Sequence, residues 1–151
     1  MGFLSRFLAA ANLVVLLGCS SSPIALNDFE SGAEKMKPDP MIAERIRLQA
    51  LKIKSKYASD TKIDYVSLAS STEFSEYKRW VAGLKYFPLS TLKTKQEKLA
   101  FWINIYNALT VHGIVDQKIQ NSVRDQSSFF AKVAYNIDGN VYSLNDIENG
   151  I

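Results

Sequence analysis

The strongest constraint on the fold is an apolar segment at about residues 95–116 that follows a helix-capping motif. Thr94 and Glu97 have the spacing at which a hydroxyl and a carboxylate close the first turn of a helix. Large apolar residues then point to almost every side of the expected helix: Leu99, Phe101, Trp102, Ile103, Ile105, Tyr106, Leu109, Val111, Ile114 and Val115. A helix with so little polar surface is buried on most sides. We therefore predict a buried central helix at about 95–116, with the other elements packed around it.

Three polar side chains interrupt this apolar helix and are candidate pocket or structural residues. Asn104 and Asn107 are three residues apart and therefore share one face. A buried amide without a partner costs about 1–3 kcal/mol, so we expect both to bond buried backbone groups, with a ligand-orienting role as the alternative. His112 is the chain's single histidine. A lone histidine on an apolar helix is more often packed than catalytic.

The C-terminal segment predicts a small antiparallel hairpin followed by a helix. Two strands within about 133–143 are joined at Asp138-Gly139, a strong hairpin signal. Ser143 and Asp146 have capping-box spacing, which favours a capping role for Asp146. Asp146 and Glu148 are nevertheless kept as candidate pocket residues. The expected fold class is α+β, helix-rich, with the buried central helix and this hairpin.

Two further helices are predicted before the central one. Asp39-Pro40 is interpreted as the start of the first, and its apolar stripe has helical spacing: Ile42, Ile46, Ala50, Ile53 and Tyr57. Basic residues surround this stripe, so the helix either lies on anionic headgroups or packs on the core; its aliphatic character favours the core. Residues 62–66 are predicted to be extended. Ser70 and Glu73 then predict the cap of a second helix that ends near Gly83.

The N-terminus predicts export and lipidation. Arg6 precedes an apolar stretch, 7–17, that is shorter than the roughly 20 residues a spanning helix needs, which is typical of a signal peptide. Leu16-Leu17-Gly18-Cys19 resembles a bacterial lipobox, in which the cysteine thiol receives a diacylglycerol. The alternative is an ordinary secretory signal with a coincidental cysteine. We expect a signal peptide at 1–18, lipidation at Cys19 and a flexible tether at 19–38.

The lipobox also predicts location and partners. Ser20 after the lipidated cysteine resembles the outer-membrane sorting pattern of Gram-negative lipoproteins, so we expect an anchored protein that faces the periplasm. The membrane is the first expected partner, contacted through the N-terminal lipid. Between residues 45 and 98 there are 12 basic and five acidic residues, which makes an anionic envelope component a second candidate partner.

Composition excludes several classes of site. One cysteine and one histidine exclude an internal disulfide, a thiolate zinc cluster and a multi-histidine metal site. The net charge of +3 is too small to indicate nucleic-acid binding. No phosphate-binding loop, dinucleotide-binding glycine pattern or HExxH motif is present in the sequence. We therefore predict no cofactor and no metal.

Three ordered motifs resemble a bacterial family known as domain of unknown function 547. They are AFWINIYNALT at 100–110, Phe129-Phe130, and YSLNDIE at 142–148; Ile63-Asp64-Tyr65 resembles the family's N-terminal part. The resemblance covers about 60–151 and implies a secreted or lipid-anchored protein. Family domains usually continue with a segment that carries Cys and His, and Asn149 stands where a His is common. We therefore interpret 39–151 as a partial domain, truncated at its C-terminus.

The resemblance also implies an alternative function. The family is similar to papain-like and transglutaminase-like hydrolases, so the chain is alternatively the N-terminal half of a cysteine hydrolase whose Cys and His lie beyond residue 151. That chemistry needs a thiolate activated by a histidine base. A lipidated Cys19 cannot serve as the nucleophile. We accordingly predict an envelope lipoprotein without catalytic residues of its own, which either binds a ligand or has no independent activity.

Overall fold

The computed structural model describes residues 22–28, 38–60 and 62–150. Over these ranges the chain forms the helix-rich α+β fold that the sequence predicts. The helices are α1 (Ile42–Tyr57), α2 (Tyr65–Ala69), α3 (Thr72–Ala82), α4 (Lys95–Asp116), α5 (Phe129–Lys132) and α6 (Leu144–Gly150). The strands are β1 (Ile24–Ala25), β2 (Ala58–Ser59), β3 (Lys62–Ile63), β4 (Val133–Ile137) and β5 (Asn140–Ser143). They form a mixed sheet in the order β1-β4-β5 and a separate β2-β3 hairpin.

Helix α4 has the predicted start, end and cap. The Glu97 amide donates to Thr94 Oγ1 at 3.1 Å, and the Thr94 amide donates to Glu97 Oε2 at 2.8 Å. Residues such as Phe101, Ile105 and Leu109 are buried, and α1, α2, α6 and β4 pack against the helix. Two faces of the helix are only partly covered by these neighbours: Leu99 and Ile103 are 46% and 52% exposed on one, and Asn107 is exposed on the other.

The predicted hairpin is confirmed. Strands β4 and β5 pair antiparallel, with Ile137 opposite Asn140. Asp138 and Gly139 occupy the turn with φ of +52° and +78°, a backbone region that glycine and aspartate tolerate better than other residues. Strand β4 is the central strand of the sheet, and all five of its residues are buried.

Part of the segment interpreted as a flexible tether is folded. Strand β1 pairs parallel with β4, with Ile24 opposite Val133. Just after it, the Asn27 side chain is 1% exposed and donates to the carbonyls of Val81 and Asn136 at 2.9 and 2.8 Å. The Asn136 amide donates back to Asn27 Oδ1 at 2.7 Å. These contacts hold residues 22–28 against the domain, which the polar composition of the segment does not indicate.

The signal peptide at 1–18, Cys19 and most of the predicted tether lie outside the described residues, as does Ile151. Their assignments remain predictions.

Helix α1 packs on the core, as its aliphatic stripe favours. Ile42, Ile46 and Ile53 are each at most 3% exposed. The helix begins at Ile42, two residues later than predicted. The Asp39 carboxylate instead forms a cap outside the helix, because it accepts from the Met41 amide at 2.8 Å.

Two predictions between α1 and α4 are corrected. Only Lys62–Ile63 is extended; Asp64 then caps α2 by accepting from the Ser67 amide at 3.0 Å, so Tyr65 and Val66 are helical. The cap of α3 is Ser71 rather than Ser70, since Ser71 Oγ accepts from the Phe74 amide at 3.1 Å. Ser70 is instead the C-cap of α2. The predicted apolar face of this helix and the turn after it is buried: Phe74, Tyr77, Val81 and Leu84.

Substitution of Gly113 by alanine is expected to destabilise the protein by about 1–2 kcal/mol. A Cβ there would lie 2.7 Å from Val133 Cγ1 and 3.1 Å from Phe129 Cε2, both of them buried side chains. Overpacking of this kind costs about 1–3 kcal/mol, which exceeds the gain of about 1 kcal/mol from replacing a helical glycine. Urea denaturation of the full chain measures the difference. Gly150→Ala is the matched control, because no atom lies within 4 Å of its added Cβ; an unchanged or raised stability of Gly113→Ala would contradict the close packing.

Candidate functional site

Helix α4 presents three faces, and two of them contact solvent-accessible depressions. The buried face packs on α3 and β4. The second face has helical spacing and carries Asn104, Asn107, Ala108 and Val111. The third carries Leu99, Trp102, Ile103 and Tyr106. The helix that the sequence marks as the centre of the fold therefore also forms one wall of each candidate site.

The second face of α4 lines a cavity of about 500 Å³, here called the α1–α4 cleft. Its opposite wall is a stripe of α1, and the β2-β3 hairpin closes one end. The lining residues are Arg47, Ala50, Leu51, Ile53, Lys54, Ala58, Asp60, Lys62, Ile63, Tyr77, Asn104, Asn107, Ala108 and Val111. The volume lies within the range of small-molecule sites, about 300–1,000 Å³.

The two asparagines lie side by side in this cleft. Asn104 is partly buried and Asn107 is exposed, so the expectation of two amides enclosed in the core is wrong. Neither side chain has a hydrogen-bond partner among the described residues. Both residues line the cavity, because α1 lies beside this face of α4 without covering it. The alternative that the sequence left open, a ligand-orienting role, stays a prediction.

The rim of the cleft has a positive charge excess. Arg47 is already paired with Glu44, at 2.7 and 2.8 Å to its two carboxylate oxygens. Lys54 and Lys62 have no carboxylate within ion-pair distance in the described part of the chain. Asp60, at the tip of the β2-β3 hairpin with φ of +49°, is the acidic residue on the same lining. Two ammonium groups without an ion-pair partner in the described residues therefore line the same cavity as the amide pair.

A buried chain of hydrogen bonds lies directly behind the cleft. Tyr77 lines the cleft floor, and its hydroxyl donates to the Ala108 carbonyl at 2.6 Å. The Tyr77 and Tyr135 hydroxyls are 3.0 Å apart, and Tyr135 Oη is 2.9 Å from His112 Nδ1. The Tyr77 hydroxyl donates its proton to the carbonyl. The other two contacts are therefore hydrogen bonds only when Tyr135 donates to Tyr77 and the imidazole carries its hydrogen on Nδ1. This chain ties α3, α4 and β4 together.

The environment of His112 indicates a structural role. The side chain is 2% exposed and packs edge-on against the rings of Phe74 and Tyr77. Burial, with a smaller contribution from the Lys78 charge, lowers the pKa of His112 to about 3. Burial also raises the pKa of Tyr77 and Tyr135 above the ordinary value for a phenol. At neutral pH the network is therefore uncharged.

The remaining candidates lie elsewhere. Asp146 caps α6, as its spacing favours: it accepts from the Ser143 amide at 2.8 Å, and its own amide donates to Ser143 Oγ at 3.2 Å. The Ser143 hydroxyl also donates to Asp146 Oδ2 at 2.6 Å, and this bond, together with the one from the Ser143 amide, lowers the pKa of Asp146. Glu148 accepts from the Tyr106 hydroxyl at 3.4 Å in a second depression of about 490 Å³, the α4–α6 groove. The groove is lined by Leu99, Trp102, Ile103, Tyr106, Asn107, Ile147 and Glu148.

The structure thus separates the five candidates into three places. Asn104 and Asn107 share the cleft, His112 lies behind it, and Asp146 and Glu148 belong to α6. Sequence reasoning missed Lys54 and Lys62 as cleft residues. The sequence gives only a weak indication that these lysines line the cleft. Lys54 lies on the same helical stripe as Arg47, but only the fold brings that stripe opposite the asparagines.

In the described ranges, no group of three or more His, Cys, Asp or Glu side chains is arranged to hold a metal ion. In the same ranges no helix is long and apolar enough to cross a membrane.

Comparison with known proteins gives one family. Residues 89–151 match the family described as "Protein of unknown function, DUF547". No curated protein and no solved structure matches the chain. The matched segment runs from just before α4 to the end of the sequence and contains both asparagines. The resemblance of residues 60–88, which includes Ile63-Asp64-Tyr65, lies outside the match, as do α1 and the β2-β3 hairpin that complete the cleft.

Proposed function

We propose that this chain is a lipid-anchored protein of the bacterial cell envelope, on the outer membrane and facing the periplasm, whose folded part binds a ligand in the α1–α4 cleft. The observation that carries the binding function is the adjacent pair of amides, Asn104 and Asn107, which have no protein partner in the described structure and lie in a cavity of about 500 Å³. The lipobox that ends at Cys19 supports the anchor.

Neither the Cys nor the His of this sequence is placed to carry out thiol-based hydrolysis in the cleft. Cys19 precedes the folded domain and is assigned to the lipid. The His112 imidazole is 2% exposed and bonded through Nδ1 to the Tyr135 hydroxyl. A general base has to reach the proton it removes, and its pKa has to lie near the working pH. An imidazole with a pKa of about 3, buried behind the cleft, meets neither condition.

The charge pattern favours the cleft, rather than the surface of α1, as the place where an anionic envelope component binds. Most basic residues of α1 are neutralised by carboxylates in ion pairs: Arg45–Asp39, Arg47–Glu44, Lys52–Glu76 and Lys56–Glu73. Exposed pairs of this kind leave little net field for a polymer or a lipid surface. Lys54 and Lys62 at the cleft have no such pair among the described residues, so they attract an anion locally. We therefore assign membrane contact to the lipid and ligand contact to the cleft.

Substitution of Cys19 by alanine is expected to abolish incorporation of radiolabelled palmitate, because no other thiol is present in the chain. The full-length gene is expressed in a Gram-negative host, and the labelled protein is detected after immunoprecipitation. The variant should also leave the outer-membrane fraction. Ser20→Ala is the control and should retain the label. Palmitate incorporation that persists in Cys19→Ala would refute the lipid anchor.

A further inference from the structure

We infer that the ligand of the α1–α4 cleft is the end of a short peptide that carries a free carboxylate. The inference rests on the proposed binding function and specifies its ligand class. It depends on three properties of the cleft: the hydrogen-bonding capacity of the amide pair, the charge of the rim and the apolar character of the floor.

The amide pair favours a peptide bond. Each asparagine side chain offers two donor hydrogens and one acceptor oxygen. A ligand that only accepts, such as phosphate or a simple carboxylate, leaves the oxygens of Asn104 and Asn107 without a donor. A peptide group both donates and accepts, so it satisfies both halves of each amide. The two side chains are three residues apart on α4, the spacing at which neighbours on a helix act on one ligand.

The rim favours a single negative charge. Lys54 and Lys62 are the unneutralised cations, since Arg47 is engaged by Glu44 at 2.7 Å. Asp60 on the same lining opposes them in part. A carboxylate at the end of a peptide matches this moderate excess, whereas the charge of a dianion or an acidic polymer exceeds it.

The floor favours an apolar side chain on the peptide. Ile53, Ala108 and Val111 line it, and Leu51 on the lip is 50% exposed. The hydrogen bond from the Tyr77 hydroxyl to the Ala108 carbonyl, 2.6 Å long, fixes the floor against α3. A cavity of about 500 Å³ with such a floor accommodates a short peptide rather than a folded partner.

The test is a titration of the full-length chain in detergent micelles, followed by NMR of the side-chain NH₂ signals of Asn104 and Asn107. Three probes are compared at low salt: N-acetyl-Ala-Leu with a free carboxylate, the same dipeptide with an amidated C-terminus, and octanoate, which has a carboxylate but no peptide bond. We expect the acidic dipeptide to bind about tenfold more tightly than either of the other two.

Variants assign the contacts. Asn104→Ala and Asn107→Ala should each weaken binding of the acidic dipeptide about tenfold, while Asn121→Ala, an exposed asparagine outside the cleft, should not. Alanine is the better helix former, so these variants of α4 remain folded. Lys54→Gln with Lys62→Gln should weaken binding of the acid but not of the amide, and Lys132→Gln is the control. Unchanged affinity in the asparagine or lysine variants overturns the assignment.

The outcomes separate the ligand class from the proposed function. Equal affinity for acid and amide, or for octanoate and dipeptide, overturns the ligand class, while a response of the Asn104 and Asn107 signals still supports a binding cleft. If none of the three probes, nor inorganic phosphate, shifts those signals, both the ligand class and the binding function are refuted. The palmitate experiment on Cys19 is independent of either result.

Discussion

Substitution of Asn27 by alanine is expected to lower the free energy of unfolding by about 3 kcal/mol or more. The side chain makes three buried hydrogen bonds with backbone groups, to the carbonyls of Val81 and Asn136 and from the Asn136 amide. Alanine leaves these groups without partners, and each unsatisfied buried group costs about 1–3 kcal/mol. The contacts also hold β1 beside β4. Urea denaturation of the full chain, followed by circular dichroism, measures the loss.

Asn136→Ala provides a matched control in the same cluster. Asn136 is 9% exposed, and its Oδ1 is buried without a hydrogen-bond partner in the described structure. Its removal deletes an unsatisfied acceptor and leaves the backbone bonds to Asn27 in place, so we expect a loss of at most about 1 kcal/mol. A larger loss for Asn136→Ala than for Asn27→Ala would show that the Asn27 side chain does not anchor the sheet.

Acidification from pH 6.5 to pH 4.5 is expected to lower the stability by about 2–3 kcal/mol through His112 alone. Burial lowers the pKa of His112 from 6.5 to about 3, so between these values the unfolded chain binds a proton that the folded chain does not. Stability is therefore full above pH 6.5 and declines as the pH falls towards about 3. Denaturation midpoints measured at half-unit pH intervals give the slope.

His112→Leu is the corresponding variant. It should remove most of the slope between pH 6.5 and pH 4.5 whatever its effect on stability at neutral pH, because the chain has no other histidine. Carboxylates add their own loss mainly below about pH 5: Lys56 holds the pKa of Glu73 at about 2, below the ordinary value of 4.5. An equal slope in the wild type and in His112→Leu would contradict the buried, neutral imidazole.

Elements defined by neighbouring residues could be predicted from the sequence. The cap formed by Thr94 and Glu97 and the turn at Asp138-Gly139 depend on side chains a few positions apart, and both have the predicted form. The one-residue error at Ser70 is of the same local kind. Two adjacent serines can each cap a helix, and the choice depends on where α2 ends.

Features that depend on contacts distant in sequence could not be predicted. Asn27 is 109 residues from Asn136, and nothing in the composition of residues 19–38 indicates that partner. The cleft also depends on distant contacts. The sequence indicates that Asn104 and Asn107 share one face of α4, but it does not indicate that α1 packs beside that face. The Tyr135 hydroxyl, which accepts a hydrogen bond from His112 Nδ1, lies on β4. The alternation of side chains along that strand gives no sign that Tyr135 has a polar partner.

The parallel pairing of β1 with β4 has a consequence for how far the protein reaches. Only four residues separate Cys19 from Ile24. An extended chain advances at most about 3.5 Å per residue, so the lipid that we propose at Cys19 lies no more than about 18 Å from the edge of the sheet. With a lipid at Cys19, a connection this short would keep the domain close to the bilayer. A ligand of the cleft would then have to reach the membrane surface to bind.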